Sequence, residues 1–264
     1  MTTSPTPVAE NQAAKRRVLY RRPASLTEAH THYCPGCGHG LVHKLIGEVL
    51  DELKIRERTI GIAPVGCAVL AYHYFNCDVT EAAHGRTPAV ATGIKRCLPD
   101  RIVFSYQGDG DLAAIGMAET LHAANRGENI TVVFVNNAVY GMTGGQMAPT
   151  TLIGQKTATC PGGRDLGSMG APIRVCELLN TLESPYYIER VAFDGPRGVR
   201  GIRRALLNAF KVQVEGKGYS LVEVLSPCPV YFRCTPVEGL RFVKEQMAAY
   251  FPVKVFRENG QPVA

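Results

Sequence analysis

Residues 108–146 read GDGDLAAIGMAETLHAANRGENITVVFVNNAVYGMTGGQ. The apolar run Ile102-Val103-Phe104-Ser105-Tyr106 leads into Gly108-Asp109-Gly110, a helix-like segment follows, and a second apolar run over residues 130–135 leads into Asn136-Asn137. Asp109 and Asn137 are thus separated by about one strand–helix–strand crossover, roughly 30 residues. In such a crossover the two strands are parallel, so both end on the same sheet edge, the edge where α/β folds bind ligands. Each strand end delivers one hard oxygen ligand, a carboxylate and an amide. Hard oxygens beside glycines that open the backbone to a phosphate describe a magnesium–diphosphate site.

Working outward, strands alternate with helices along most of the chain. A short strand over 59–65 ends at Gly66-Cys67. Small residues after His84-Gly85-Arg86 feed a helix that ends near Leu98. Residues 173–182 form a helix opened by Pro172, residues 187–193 a strand and residues 200–214 an amphipathic helix. A third clear apolar strand over 219–225 runs into Ser226-Pro227-Cys228-Pro229, and residues 238–250 are helical. This alternation predicts an α/β fold with a mostly parallel sheet flanked by helices. One domain, residues 25–264, is expected behind a flexible basic N-terminal arm, residues 1–24. The polar, glycine-rich stretch 147–170 is long for a structureless loop and is expected to be either functional or disordered.

The 264 residues carry a formal charge of +6, with 45% hydrophobic and 20% charged residues, an ordinary globular balance. Lys15, Arg16, Arg17, Arg21 and Arg22 sit in the arm and leave the remainder nearly balanced. The arm is a solvated tail or a clasp on a partner subunit; no basic–aromatic interleaving follows it, so nucleic acid is not an expected partner. No apolar run approaches a membrane span, and the first dozen residues lack the apolar core of a secretory signal. A cytoplasmic location is expected, and nine cysteines without an export signal argue for reduced thiols rather than a disulfide framework.

Cys34-Pro35-Gly36-Cys37-Gly38 is a closely spaced pair in a glycine loop. Alone it suits zinc, a redox dithiol or an iron–sulfur cluster. Cys67 and Cys228 each follow a predicted strand and are the candidates to complete a four-thiol site; Cys234 is the rival to Cys228 and Cys160 a weaker one. Cys97 and Cys176 lie in helix-like apolar patterns and are expected as small core residues. A zinc ribbon would want a second close pair, and there is none. His32, His39 and His43, flanking the loop, are expected in structural or solvent roles. Asp111 is divided between tuning the diphosphate site and capping the following helix. Glu119 and Glu128 read as helix-surface charges without partners, and Gln146 as a residue close to the cofactor motif.

Taken in order, Cys34-Pro35-Gly36-Cys37, Gly66-Cys67, His84-Gly85-Arg86, Gly108-Asp109-Gly110, Asn136-Asn137, Tyr140-Gly141-Met142-Thr143-Gly144-Gly145-Gln146 and Ser226-Pro227-Cys228 resemble the thiamine-diphosphate-binding beta subunit of the 2-oxoacid:ferredoxin oxidoreductases, of the 2-oxoglutarate or 2-oxoisovalerate type. The resemblance covers roughly residues 30–231. It implies the thiamine-diphosphate-binding fold and a CoA-dependent oxidative decarboxylation of a 2-oxoacid to acyl-CoA and CO2, with electrons passing through an iron–sulfur cluster to ferredoxin. It implies that Asp109 and Asn137, joined by the Val139 carbonyl, hold Mg2+. Gly108 belongs to the same motif, and Gly110, Asp111, Gly141 and Thr143 would contact the diphosphate. Cys34, Cys37, Cys67 and Cys228 would hold a [4Fe–4S] cluster, and His84 and Arg86 would face cofactor or substrate.

The family's pyrimidine-binding half, with its activating glutamate, is absent from this sequence. An alpha subunit is therefore the expected partner, with room for gamma and delta subunits, and the chain alone is expected to be inactive. One position departs from the pattern: some members place a lysine three residues after the third cluster cysteine, where this chain has Leu70. The apolar surroundings (Val69, Leu70, Tyr72, Tyr74, Phe75) suit a bulky or branched 2-oxoacid, with 2-oxoglutarate, pyruvate and aryl 2-oxoacids still open. The competing readings are a thiamine-dependent decarboxylase or synthase subunit without a cluster, and a zinc-binding assembly module.

Overall fold

The computed structural model describes residues 18–263. Residues 1–17, and with them Lys15, Arg16 and Arg17 of the basic arm, lie outside the described residues. The strands are β1 (Thr59–Ala63), β2 (Asp78–Glu81), β3 (Ile102–Gly108), β4 (Thr131–Asn136), β5 (Tyr187–Ala192), β6 (Ser220–Leu225), β7 (Val255–Glu258) and β8 (Gln261–Pro262). They form one sheet in the order β2-β1-β3-β4-β6-β5-β7-β8. The first six are parallel; β7 and β8 close the far edge antiparallel. The main helices are α1 (His39–Glu52), α2 (Thr87–Cys97), α3 (Met117–Asn125), α4 (Leu166–Met169), α5 (Val175–Asn180), α6 (Pro196–Val214), α7 (Pro229–Phe232) and α8 (Pro236–Phe242).

The central strands are apolar without alternation because both faces are covered. On one face α1 (Val42, Ile46, Val49) and α6 (Ile202, Leu206, Phe210) pack on Phe104, Val133 and Val222. On the other, α2, α3 and α5 pack through Ala91, Ala123, Ala124 and Leu179 on Val103, Val132 and Leu221. Pro196 opens α6, where a missing N–H costs nothing, and Ile202, Leu206, Ala209 and Gln213 recur at helical spacing along its buried face. Gln213 finishes the packing with a polar contact. Its side-chain amide accepts from Val103 N at 2.8 Å and donates to Val103 O at 2.6 Å, standing in for a strand partner below the start of β4.

Several elements differ from the sequence expectation. Strand β2 is polar and mostly exposed, and it pairs only with β1, so it has no apolar run to betray it. The β7–β8 hairpin is held instead by buried Arg257, which donates to the carbonyls of Asn180, Leu182, Glu183 and Gly260. The helix after Gly110 begins as a wide π turn over Gly110–Ile115 before α3 starts. The C-terminal helical stretch likewise runs from α8 through a π turn (Val243–Met247) into Ala248–Tyr250. Cys176 is buried as expected, but Cys97 is exposed. At the end of α2 it is Lys95 that turns inward, donating to the carbonyls of Pro99 and Arg101. Glu128 is not a partnerless surface charge either: it is nearly buried between Arg96 and Arg126.

Two polar clusters stand out, one buried and one reaching the surface. The side chains of Arg190 and Glu223 are wholly buried; Arg190 Nε donates to Glu223 Oε2 at 2.8 Å, and the guanidinium also grips Glu177. Next to the cysteine loop, three histidines each meet a tyrosine hydroxyl: His32 with Tyr74 at 2.6 Å, His39 with Tyr106 at 2.8 Å and His43 with Tyr33 at 3.0 Å. His43 also stacks on Phe75. His39 and His43 are therefore packed in the interior, while His32 stays exposed with its ring held by the Tyr74 hydroxyl.

Replacing Arg190 by Met should destabilise the chain by roughly 3–5 kcal/mol, because it strands the Glu223 carboxylate without its partner. Denaturant unfolding of wild type and variant measures this. A pH effect follows from the histidine layer. Burial holds His39 neutral down to about 4, and burial also pushes His43 well below the usual histidine value of 6.5. The unfolded chain takes up these protons first, so stability present at neutral pH is lost as pH falls from 6.5 towards 4. Unfolding curves at pH 7 and pH 5 should show this loss, and it should shrink in a His39→Phe variant.

Candidate cofactor site

Four neighbouring parallel strands, β1, β3, β4 and β6, end on one edge of the sheet. The residues that follow them are Gly66-Cys67, Asp109-Gly110, Asn137 and Ser226-Pro227-Cys228. The sheet thus gathers onto one rim residues that are far apart in the chain.

Asp109 is buried at the end of β3. Its Oδ1 accepts from Gly110 N at 2.9 Å, capping the π turn; its Oδ2 accepts from Val139 N at 3.1 Å and Thr150 Oγ1 at 3.0 Å. Burial pushes its carboxyl up to about 7 despite these donors, the direction expected of a buried anion with no cation beside it. Asn137 completes the picture. Its amide oxygen faces only acceptors, Asp109 Oδ2 at 3.2 Å and the Val139 carbonyl at 2.7 Å. Turning the amide over would let its NH2 donate to both, and a cation among the three oxygens would satisfy them as they stand. An octahedral Mg2+ with bonds of about 2.1 Å sets adjacent ligands about 3 Å apart, so the spacing fits.

Gly110 lies under the Tyr140 ring, where an added Cβ would come 2.2 Å from a ring carbon. Gly141 is confined on its other side: a Cβ there would stand 3.2 Å from Cys67 Sγ and 3.5 Å from Cys228 Sγ. The loop next to the oxygen triad therefore also touches two of the thiols. Cys34 and Cys37 sit on a turn closed by Cys37 N donating to Cys34 O at 3.1 Å, and Gly38 N donates to Ser226 Oγ at 3.2 Å, docking that turn on the end of β6. Burial raises the thiols of Cys67 and Cys228 to about 12, and repulsion from neighbouring thiols adds to it: Cys37 and Cys34 act on Cys67, Cys37 and Cys67 on Cys228. These four cysteines are brought together. Cys234 feels burial and Glu238 rather than the other thiols, and buried Cys160 meets the sulfur of Met169. Among the described residues, no three His, Cys, Asp or Glu side chains crowd one point as they would around a single ion.

The Asp111 carboxylate does not cap the helix; Asp109 does. Asp111 turns instead to other strand ends. Its Oδ1 accepts from His84 Nδ1 at 2.7 Å, Gly85 N at 2.9 Å and Val65 N at 3.2 Å, and its Oδ2 from Gln107 Nε2 at 2.7 Å. The accepting carboxylate fixes the Nδ1 proton of His84 and leaves Nε2 as the acceptor on a partly exposed ring. Arg86, by contrast, is tied to Glu119 at 2.9 Å and to the Ile115 carbonyl at 3.1 Å. Glu119 is therefore its partner, not the isolated surface charge expected. Thr143 donates to Gln146 Oε1 at 2.6 Å, folding the loop tip on itself. Tyr74 and Phe75 are buried, which leaves Val69, Leu70 and Tyr72 of the apolar group nearer the surface.

The long loop 147–170 contributes residues that no motif announced. Thr150 binds Asp109, while Thr151 and Gln155 both donate to the Ala138 carbonyl. Arg164 holds the loop in shape: nearly buried, it donates to the carbonyls of Ala148, Pro149, Thr151, Met169, Gly170 and Ala171. Its length left function and disorder both open; the loop is ordered, and the identity of its contacts depends on tertiary structure.

Residues 64–224 match the thiamine pyrophosphate enzyme C-terminal TPP binding domain. The chain is 56% identical over 242 residues to the ketoisovalerate oxidoreductase subunit VorA of Methanothermobacter thermautotrophicus, covering 92% of this chain and 51% of that protein. It is 35% identical over 219 residues to the 2-oxoglutarate synthase subunit KorB of Methanocaldococcus jannaschii, covering 81% and 77%. It spans about half the length of the VorA relatives and most of the KorB ones. The fold is shared with a chain of the 2-oxoglutarate:ferredoxin oxidoreductase from Magnetococcus marinus with 2-oxoglutarate, coenzyme A and succinyl-CoA bound, at a TM-score of 0.72 and 23% identity over 96% of this chain and 89% of that one. A thiamine-type domain match and extended identity to such subunits agree with the rim just described: the chain belongs to the thiamine pyrophosphate enzymes, through their C-terminal TPP-binding domain, and among them to the group of 2-oxoacid oxidoreductase subunits.

Proposed function

We propose that this chain is the thiamine-diphosphate-binding beta subunit of a 2-oxoacid:ferredoxin oxidoreductase, which converts a 2-oxoacid and coenzyme A to acyl-CoA and CO2. The observation that carries the reading is Gly141, against which two thiols, Cys67 and Cys228, and the Asn137 side chain of the oxygen triad converge. When bound, thiamine diphosphate supplies the carbon nucleophile and electron sink for decarboxylation, and a [4Fe–4S] cluster supplies a one-electron exit towards ferredoxin.

This chain's residues do the rest. Asp109 Oδ2, Asn137 Oδ1 and the Val139 carbonyl hold Mg2+, which offsets the diphosphate charge. The opened backbone at Gly108, Gly110, Asp111 and Gly141, with the Thr143 hydroxyl once it leaves Gln146, receives the phosphate oxygens. Cys34, Cys37, Cys67 and Cys228 hold the cluster. The thiols of Cys37, Cys67 and Cys228, pushed up by burial, need a metal charge before they ionise.

His84, held by Asp111, accepts or returns a proton at Nε2 near the reacting carbonyl. Arg86, pinned to Glu119, steadies the His84 loop on α3. The pyrimidine side of the cofactor and its activating glutamate come from an alpha subunit. A branched 2-oxoacid such as 2-oxoisovalerate suits the apolar Val69 and Leu70, and the extended identity to a ketoisovalerate oxidoreductase subunit supports that choice.

The complex should be purified anaerobically with its alpha subunit and assayed for ferredoxin reduction with a panel of 2-oxoacids. Dependence on 2-oxoisovalerate and coenzyme A, and a brown protein with iron and acid-labile sulfide, are expected. A colourless, iron-free but active complex would overturn the cluster. The Asp109→Ala variant should lose Mg2+–thiamine diphosphate affinity by more than the roughly 10–100-fold that a supporting contact costs, with its iron content unchanged. Calorimetric titration and iron analysis read the two separately.

A further inference from the structure

Between the two proposed magnesium ligands that follow β4, Asn137 and Val139, lies Ala138, wholly buried and in the left-handed region at φ +59°. Alanine has no side-chain group to compensate that conformation, so the surroundings must hold it. Both of its backbone polar groups are held. Ala138 N donates to Asn136 Oδ1 at 3.1 Å. The Ala138 carbonyl accepts from Thr151 Oγ1 at 2.7 Å and Gln155 Nε2 at 3.1 Å. Behind Asn136 stands the buried ion pair: Asn136 Nδ2 donates to Glu223 Oε1 at 2.8 Å, and Glu223 Oε2 takes Arg190 Nε at 2.8 Å. Neither clamp residue reaches the oxygen triad itself. What they fix is the reversal of the chain that lets the Asn137 side chain and the Val139 carbonyl face Asp109 together.

We infer that Thr151 is a positioning residue for the divalent cation. It acts with Gln155 and Asn136 to lock the Ala138 peptide in its left-handed turn, so the ion meets ligands already in place. The inference rests on the cation reading proposed above and extends it to residues outside the ligand set. Without the lock, Asn137 and Val139 are free to relax into ordinary extended backbone, and the ion has to gather its ligands at its own expense.

The test uses the assembled complex, stripped of metal and reloaded with thiamine diphosphate. Mn2+ is the probe, titrated by electron paramagnetic resonance, and thermal unfolding is recorded on the same samples. Thr151→Val keeps the shape and removes the hydroxyl. It takes away both the donor to the Ala138 carbonyl and the acceptor of Ala148 N, and should weaken Mn2+ binding about tenfold. Thr151→Ser restores the hydroxyl and should bind within about twofold of wild type, within the ordinary scatter of such contacts. Ala138→Gly relieves the left-handed conformation but loosens the turn before the ion arrives. It should melt no lower than wild type and still bind Mn2+ several-fold more weakly.

That separation of stability from ion affinity is what a purely structural clamp would not produce. Equal affinity in Thr151→Val and wild type, failure of Thr151→Ser to restore binding, or undiminished affinity in Ala138→Gly each overturns the inference while leaving the cofactor reading standing. A wild-type complex that takes up no Mn2+ with thiamine diphosphate removes the cofactor reading and this inference together.

Discussion

Parallel pairing forces the carboxyl ends of neighbouring strands onto one edge of a sheet. In this chain that constraint places Cys67, Asp109, Asn137 and Cys228 on a common rim, since β1, β3, β4 and β6 are side by side. Nothing local to any of these residues could do so. The register in turn depends on strands buried on both faces, with α1 and α6 above and α2, α3 and α5 below. Gln213 contributes at the foot of the sheet, where it pairs with Val103 before β4 begins.

The rim is electrostatically unusual. Asp109 and the thiols of Cys67 and Cys228 lie close to other acids and largely out of water, and all three are pushed towards their protonated forms. Low-dielectric surroundings make an uncompensated anion costly. Elsewhere in the fold the same problem is met with an internal cation, as when Arg190 meets Glu223. Among the described residues, burial rather than a neighbouring cation sets the charge state of these three groups.

The sequence carried this layout unevenly. The Asp109 and Asn137 strand ends were legible because apolar runs and glycines are local signals, and the central strands lie where those runs lie. Strand β2 was not legible, since a polar edge strand offers no periodicity, and the β7–β8 hairpin rests on the long-range contacts of Arg257. Cys97 misled because helical spacing alone does not say which turn of α2 leaves the core. The chemistry showed the same limit. Cys67 and Cys228 could be proposed from their positions after strands. Thr150, Thr151 and Gln155 could not, because their contacts exist only once the 147–170 loop has folded back around Arg164. Arg86 looked available for a ligand until Glu119 was found against it.

Asp111 draws together residues from the ends of three strands: Val65 after β1, His84 and Gly85 after β2, and Gln107 within β3. A single carboxylate shared in this way is a mechanical coupling. The loops it joins cannot open one at a time without breaking charge-assisted hydrogen bonds, so they form one cooperative unit whose opening costs more than that of any loop alone. A disturbance arriving at the exposed β2 edge, from a partner docking there for instance, would then be felt at the end of β3 two strands away, with no hinge and no moving helix between them.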